Sequence, residues 1–225
     1  RVILSNKNEK SGNELVRSLG NNCEFIKLDV RNEKDWERTI ALIEAKYGKL
    51  DVLINNAGFG INKAFSASDI NAEQQMFDVL VRTPMRLMHT VIPGMKQRNS
   101  GTIINVSSVA SFIAGGTYSA SKSYLTVLSE SLNTELASSG VKVSALCPGF
   151  TRTEFHERGR MKMGGLPKFM WLNSDYLVAQ SWKDALANKP VSIPGWQYKL
   201  LVGVISTIPR KFVRQIGMNV RKKQR

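Results

Sequence analysis

The sequence of 225 residues is 42% hydrophobic and 22% charged, an ordinary globular mixture that holds enough apolar material for a core and excludes disorder along the whole length. No apolar run reaches about 18 residues and no signal peptide is visible, and Cys23 and Cys147 lack the spacing of a metal site or disulfide framework; a reducing, cytoplasmic setting is the expectation. The formal charge of +14 is uneven: residues 185–225 hold nine Lys or Arg and no Asp or Glu, leaving +5 on the rest.

Strand-like and helix-like patterns then alternate. Arg1-Val-Ile-Leu-Ser5 reads as a strand, and Leu15, Val16 and Leu19 mark a helix that ends at Gly20. Cys23 to Val30 is the next strand. Asn32 and Asp35 resemble a capping box for a helix through Trp36, Ile40, Ile43 and Tyr47, stopped by Gly48. Asp51-Val-Leu-Ile54 is a strand running into Asn55-Asn-Ala-Gly58. Asn71 and Gln74 resemble a second capping box, for a long helix through Met76, Val79, Leu80, Leu87 and Val91 that Pro84 interrupts. Thr102 to Val106 is strand, Leu125, Leu128, Leu132 and Leu136 stripe a helix, and Val141 to Leu146 is strand again. This alternation predicts an α/β fold, a single domain with a doubly wound parallel sheet, because parallel strands need crossover helices. The expected division is a domain over 1–195, with a substrate lid at about 149–175, and an apolar then basic tail over 196–225.

In such a sheet ligands bind beyond the carboxyl ends of the strands. The residues there are Asp29, Asn55 to Gly58, Ser107 and Ser108, and Pro148 to Thr153, small or polar as a backbone-lined crevice requires. Tyr118 and Lys122 stand four apart, on one face of a helix that opens ten residues after Ser108. A phenol can give a proton to a carbonyl oxygen, a nearby ammonium favours its ionised form, and a serine hydroxyl can orient the same oxygen. The trio is a candidate site for carbonyl reduction or alcohol oxidation.

The run Thr102-Ile-Ile-Asn-Val-Ser-Ser108, then Tyr118-Ser-Ala-Ser-Lys122, with Asn55-Asn-Ala-Gly58 before and Pro148-Gly149 after, resembles the short-chain dehydrogenase/reductase family. The resemblance implies a Rossmann-type domain, a nicotinamide cofactor, and hydride transfer assisted by Ser108, Tyr118 as general acid/base, and Lys122. It implies cofactor contacts at Asp29 and Val30 beside the adenine, at Asn55, Ala57 and Gly58 under the adenosine, at Tyr118 and Lys122, and at Pro148, Gly149, Thr151 and Thr153 on the nicotinamide side. Lys7 follows the first strand, where NADP-preferring members place a cation, so NADP is the expected cofactor and NAD the other choice. Three departures stand out. The family's glycine-rich turn and preceding strand are missing, Arg1-Val-Ile-Leu resembling the second strand of the fold, so truncation is expected. Leu80 occupies the position of the usual catalytic Asn. The interval from Ser108 to Tyr118 is short.

The reading is therefore an NAD(P)-dependent oxidoreductase for a small carbonyl or alcohol, working as a homodimer or homotetramer. The competing reading is a catalytically degenerate dinucleotide-binding sensor or interaction module. Phe155, Met161, Met163, Leu166, Phe169, Met170, Trp171 and Leu172 fall in the expected lid and point to an apolar or lipid-like substrate; packing of the lid onto the domain accounts for them equally well. For the segment after Trp196, peripheral contact with an anionic membrane stands beside packing on the domain or a partner. No signature of nucleic-acid binding is present.

Overall fold

A computed structural model describes residues 1–153 and 167–224. The chain divides into two compact units, Arg1–Leu50 and Asp51–Arg225.

In the first unit β1 (Val2–Asn6) and β2 (Cys23–Lys27) pair in parallel, Asn6 opposite Lys27. The crossover is α1 (Glu9–Leu19), capped by Asn8, whose side chain accepts from the Ser11 N–H. Leu28 bonds back to the Asn6 carbonyl, so the two strand ends stay together. The unit closes with α2 (Glu33–Tyr47), capped by Asn32 as expected and ended by Gly48 in the left-handed conformation.

The second unit holds a four-stranded, wholly parallel sheet in the order β3 (Val52–Asn55), β4 (Gly101–Val106), β5 (Val141–Leu146), β6 (Val191–Ser192). The connecting helices are α3 (Ile70–Phe77), α4 (Thr83–Gln97), α5 (Thr117–Glu135) and α6 (Ser174–Leu186). Alternate strand residues separate the faces. Ile104 and Leu146 point into a cluster with Leu177 and Ala185 of α6, whereas Asn105 points to Met88 of α4 and Ser129 of α5. The sheet is thus covered on both sides, and the α/β Rossmann-type expectation holds.

Two local expectations are corrected. Asp69, not Asn71, caps α3: its backbone is extended and its carboxylate accepts from the Asn71 N–H at 3.1 Å. The expected long helix does not simply kink at Pro84. Asp78–Arg82 winds as a π turn, with the Thr83 N–H on the Asp78 carbonyl, and Pro84 then sits in the first turn of α4. A proline has no N–H to offer the Leu80 carbonyl four residues back, and the wider turn precedes that defect.

The apolar stretch after Gly195 forms α7 (Trp196–Thr207), and the basic stretch forms α8 (Arg210–Gln224). Tyr198, Val202 and Ile205 of α7 are buried, and Tyr198, completely buried, joins the cluster with Ile104, Leu146 and Leu172. This segment builds part of the core of its unit. No helix among the described residues is long and apolar enough to cross a membrane.

Candidate active site

The carboxyl end of β4 organises the site. Asn105 lies wholly buried in an otherwise apolar strand, directly opposite Asn55 in register. Its carboxamide oxygen accepts from the Asn55 Nδ2 at 2.7 Å, and its own Nδ2 donates to Ser129 Oγ at 2.8 Å. This pair ties the end of β3 to β4 and β4 to α5. Asn105 has no role in the sequence reading; a lone carboxamide in the run Thr-Ile-Ile-Asn-Val was the available signal, since a buried amide must find partners. Ser107 does the same one step on: its Oγ donates to the Lys122 carbonyl at 2.9 Å and shares a 2.6 Å bond with Thr126.

Ser108 follows with its Oγ accepting from the Ala110 N–H at 3.1 Å, so it caps the short turn Val109–Phe112 and also hydrogen-bonds Tyr118. Gly116, at φ +89°, opens α5, a backbone state that L side chains rarely adopt. Tyr118 and Lys122 occupy the first turns of α5 on one face, the ammonium 5.8 Å from the phenol ring centre. Ser108, Tyr118 and Lys122 are therefore brought together.

Their electrostatics differ from the expectation that Lys122 draws the phenol pKa down. Lys122 is buried, and its Nζ donates to the Val106 carbonyl at 2.6 Å. Burial pushes the Tyr118 phenol up to about 12, the Ser108 hydrogen bond only partly opposing it. Burial likewise lowers the Lys122 ammonium to about 8, against a smaller upward pull from Cys147. Desolvation outweighs the pairing because the ammonium is committed to a carbonyl and meets the phenol across its ring.

The loop after β3 leaves Ala57 and Gly58 exposed. A Cβ on Gly58 would lie 3.2 Å from the Leu80 side chain and 3.8 Å from Lys122 Nζ. Leu80, almost fully buried, thus stands beside Gly58 with an apolar side chain where the resemblance expects an amide. After β5, the Val109 N–H bonds the Pro148 carbonyl at 3.0 Å, linking this loop to the turn that follows Ser108. A Cβ on Gly149 would fall 2.0 Å from the Tyr198 ring, so only glycine fits. The Tyr198 hydroxyl accepts from the Phe150 N–H at 2.9 Å and donates to the Met170 carbonyl at 2.5 Å. Thr151 is buried, with Oγ1 on the Gly149 carbonyl at 3.1 Å, and forms a bridge with Leu172; Thr153 is exposed.

Of the expected lid, Phe150, Met170 and Leu172 pack against the core, and Phe150 meets Trp171 with ring centres 6.1 Å apart. Phe169 is exposed. Phe155, Met161, Met163 and Leu166 lie outside the described residues.

In the first unit, Asp29 accepts from the Arg31 backbone at 3.0 Å and pairs with its guanidinium, which holds its carboxyl below the usual range with a further pull from Lys7. Lys7 and Asp29 thus share the strand-end region of that unit, with the half-buried Val30 next in the chain. The donor set of the second unit, with exposed glycine backbone after β3 and an ammonium and two hydroxyls beyond β4, fits the nicotinamide part of a dinucleotide.

A family model described as short chain dehydrogenase matches residues 1–163. The chain belongs to the short-chain dehydrogenase family. The NADP-dependent 3-hydroxy acid dehydrogenase YdfG of Escherichia coli K12 is 34% identical over 161 residues, covering 69% of this chain and 64% of that protein. The ketoacyl reductase HetN of Nostoc is 30% identical over 182 residues, covering 79% and 62%. The chain thus spans less than two thirds of the length of either relative. Among solved structures, a short-chain dehydrogenase from Sphingobium yanoikuyae in complex with NADPH superimposes with a TM-score of 0.77 at 25% identity, over 92% of this chain and 86% of that one. A family member from Burkholderia phymatum in complex with NAD shares the fold, with a TM-score of 0.78 at 22% identity, over 89% and 82%.

Proposed function

We propose that this chain carries the active site of an NAD(P)-dependent oxidoreductase that interconverts a carbonyl and a secondary alcohol. The observation that carries this reading is Ser108 hydrogen-bonded to Tyr118 with Lys122 beneath the same ring. Lys7, Asp29, Val30, Asn55, Ala57, Gly58, Pro148, Gly149, Thr151 and Thr153 would hold the dinucleotide together with Tyr118 and Lys122. A bound nicotinamide would supply the hydride. The chain's own part is to place the substrate and move a proton. The Ser108 hydroxyl orients the substrate oxygen, and Tyr118 Oη donates its proton to that oxygen. A phenol raised to about 12 stays protonated at neutral pH, which suits the acid needed for reduction.

The test is oxidation of NADPH and NADH by the full-length protein with a panel of ketones, keto acids and apolar carbonyls. Turnover above background on one class supports the reading. Tight cofactor binding with no turnover on any class supports the sensor reading instead, the one that the buried Leu80 favours.

Lys122 sets a pH dependence. Its pKa is lowered, so the cation is present below about pH 8 and lost above it. The free protein's grip on the cofactor should follow, and kcat/KM for NADPH is expected to fall as pH rises through about 8. A profile flat to pH 10 would remove Lys122 from that role.

NADP preference rests on Lys7 beside Asp29 and is supported by the NADP-dependent relative and the NADPH complex. Lys7→Glu is expected to weaken NADPH binding about ten-fold or more with NADH little changed, as the loss of one charge-assisted contact to a phosphate implies; isothermal titration of both cofactors measures it. Relatives named as a ketoacyl reductase and a 3-hydroxy acid dehydrogenase support an acyl or hydroxy-acid substrate of apolar character. Exposed Tyr124 and Val127 on α5, Phe77 at the end of α3 and Met85 on α4 support assembly as a homodimer or homotetramer.

A further inference from the structure

The helix α7 is apolar on its inner face and mostly apolar on its outer one, where Lys199 is its one charged residue. Tyr198, Val202 and Ile205 face inward and are buried. Trp196, Leu200 and Val204, four residues apart on the opposite face, are 72%, 62% and 50% exposed. A Cβ on Gly203 of the same face would meet nothing within 4 Å. A surface helix ordinarily carries a polar and charged outer face, and one that is apolar on both faces is ordinarily covered on both. Here, among the described residues, the inner side is covered and the outer one is exposed. The outer face also extends beyond the helix: Gln197 donates to the Phe169 carbonyl at 3.0 Å, and Phe169 is itself 62% exposed beside the exposed Lys168.

Cations accompany this face. Lys199 is exposed on α7 itself, and three residues past its end come the exposed Arg210 and Lys211, then Arg214. The exposed Phe212 and Met218 stand among them. The sequence continues with Arg221, Lys222, Lys223 and Arg225, with no acidic residue after Asp184. The first half of α8 is seated: Val213 is buried, and a Cβ on Gly217 would lie 2.5 Å from the Ala114 carbonyl oxygen.

We propose that the outer face of α7, with Phe169 and the basic residues of α8, docks on an anionic membrane surface. An exposed apolar stripe rimmed by Lys and Arg has the chemistry of an interfacial helix, its apolar side entering the acyl boundary and its cations meeting the headgroups. The charge decides against a second copy as occupant. A two-fold contact sets the same patch against itself, which would bring together two copies of segment 196–225, each with eight cations and no anions. The surface goes beyond the active-site reading and does not depend on it. It does adjoin that site: α7 holds Phe150 and Met170 through Tyr198, and α8 rests on the loop four residues before Tyr118. A lipid-borne substrate would therefore reach the protein on the side where the lid segment is anchored.

Co-sedimentation of the full chain with vesicles tests this without any substrate. The probes are phosphatidylcholine vesicles with and without phosphatidylglycerol, at low and high salt. Binding is expected only with phosphatidylglycerol, and it should weaken as salt rises. Arg210→Glu/Lys211→Glu/Arg214→Glu should lower the partition coefficient at least roughly ten-fold. Leu200→Ser/Val204→Ser should abolish the blue shift of Trp196 fluorescence on binding, with Trp196→Phe giving the background. All these side chains are exposed, and circular dichroism checks each variant; the wild-type salt and lipid series stands without them. No binding to phosphatidylglycerol vesicles, or binding that ignores salt and the charge reversal, overturns the proposal. A wild-type dimer in light scattering that Leu200→Ser/Val204→Ser converts to monomer, with no vesicle binding, assigns the face to a second copy instead.

Discussion

Tyr118→Phe is expected to lower turnover by roughly 10²–10⁴ while leaving cofactor affinity nearly unchanged, the range for loss of one positioned general acid. The substitution removes only the hydroxyl. The ring keeps its place at the start of α5, with the Lys122 ammonium 5.8 Å from its centre, and Lys122 keeps its bond to the Val106 carbonyl. What is lost is the proton donor and the hydrogen bond to Ser108. Steady-state kinetics on the best substrate, with cofactor titration in parallel, measure both quantities. A variant with near wild-type turnover would mean that another group delivers the proton. A variant that loses cofactor affinity as well would mean that the phenol holds the dinucleotide.

Gly149→Ala is expected to destabilise the second unit by about 1–3 kcal/mol, the usual cost of overpacking a rigid site. A Cβ there would overlap the Tyr198 ring at 2.0 Å. The ring cannot simply step aside, because its hydroxyl bonds both the Phe150 N–H and the Met170 carbonyl and its body is wholly buried. Thermal or urea unfolding measures the loss. Tyr198→Leu removes the clashing ring and the hydrogen bonds of its hydroxyl to Phe150 and Met170, so it should destabilise by itself yet offset part of the Gly149→Ala loss in the double variant. Strict additivity of the two, by a double-mutant cycle, would show that the close approach is not what position 149 responds to. A drop in activity larger than the drop in stability would further indicate that the 149–153 loop shapes the candidate site.

Local chemistry in the sequence was enough for much of this molecule. The strands with short apolar runs and the helices of α2 and α5 follow from patterns spanning one or two turns, as do the caps at Asn32 and Gly48. The grouping of Ser108, Tyr118 and Lys122 was legible because one strand end and one helix start carry all three, with only nine residues between Ser108 and Tyr118. Lys7 and Asp29 were legible for the same reason, each following a strand of one parallel pair.

Other features depend on groups far apart in the chain, and only the tertiary structure decides them. Asn105 draws its role from Asn55, 50 residues earlier, and Ser129, 24 later; no window of sequence contains that network. Proximity of Lys122 to Tyr118 was readable at four-residue spacing. The direction of the phenol pKa was not, since it depends on how much of each group the fold desolvates and on the Val106 carbonyl that accepts the ammonium's hydrogen bond. The π turn ahead of Pro84 likewise reflects a backbone choice that side-chain periodicity does not encode. The segment after Trp196 shows the contrast most plainly. Its composition determined that it is apolar and then basic, but a helix with apolar residues on both faces does not say which one turns inward. Which face meets the core was set by Tyr198 reaching Phe150 and Met170 across 48 and 28 residues, and that choice left Trp196, Leu200 and Val204 on the outside.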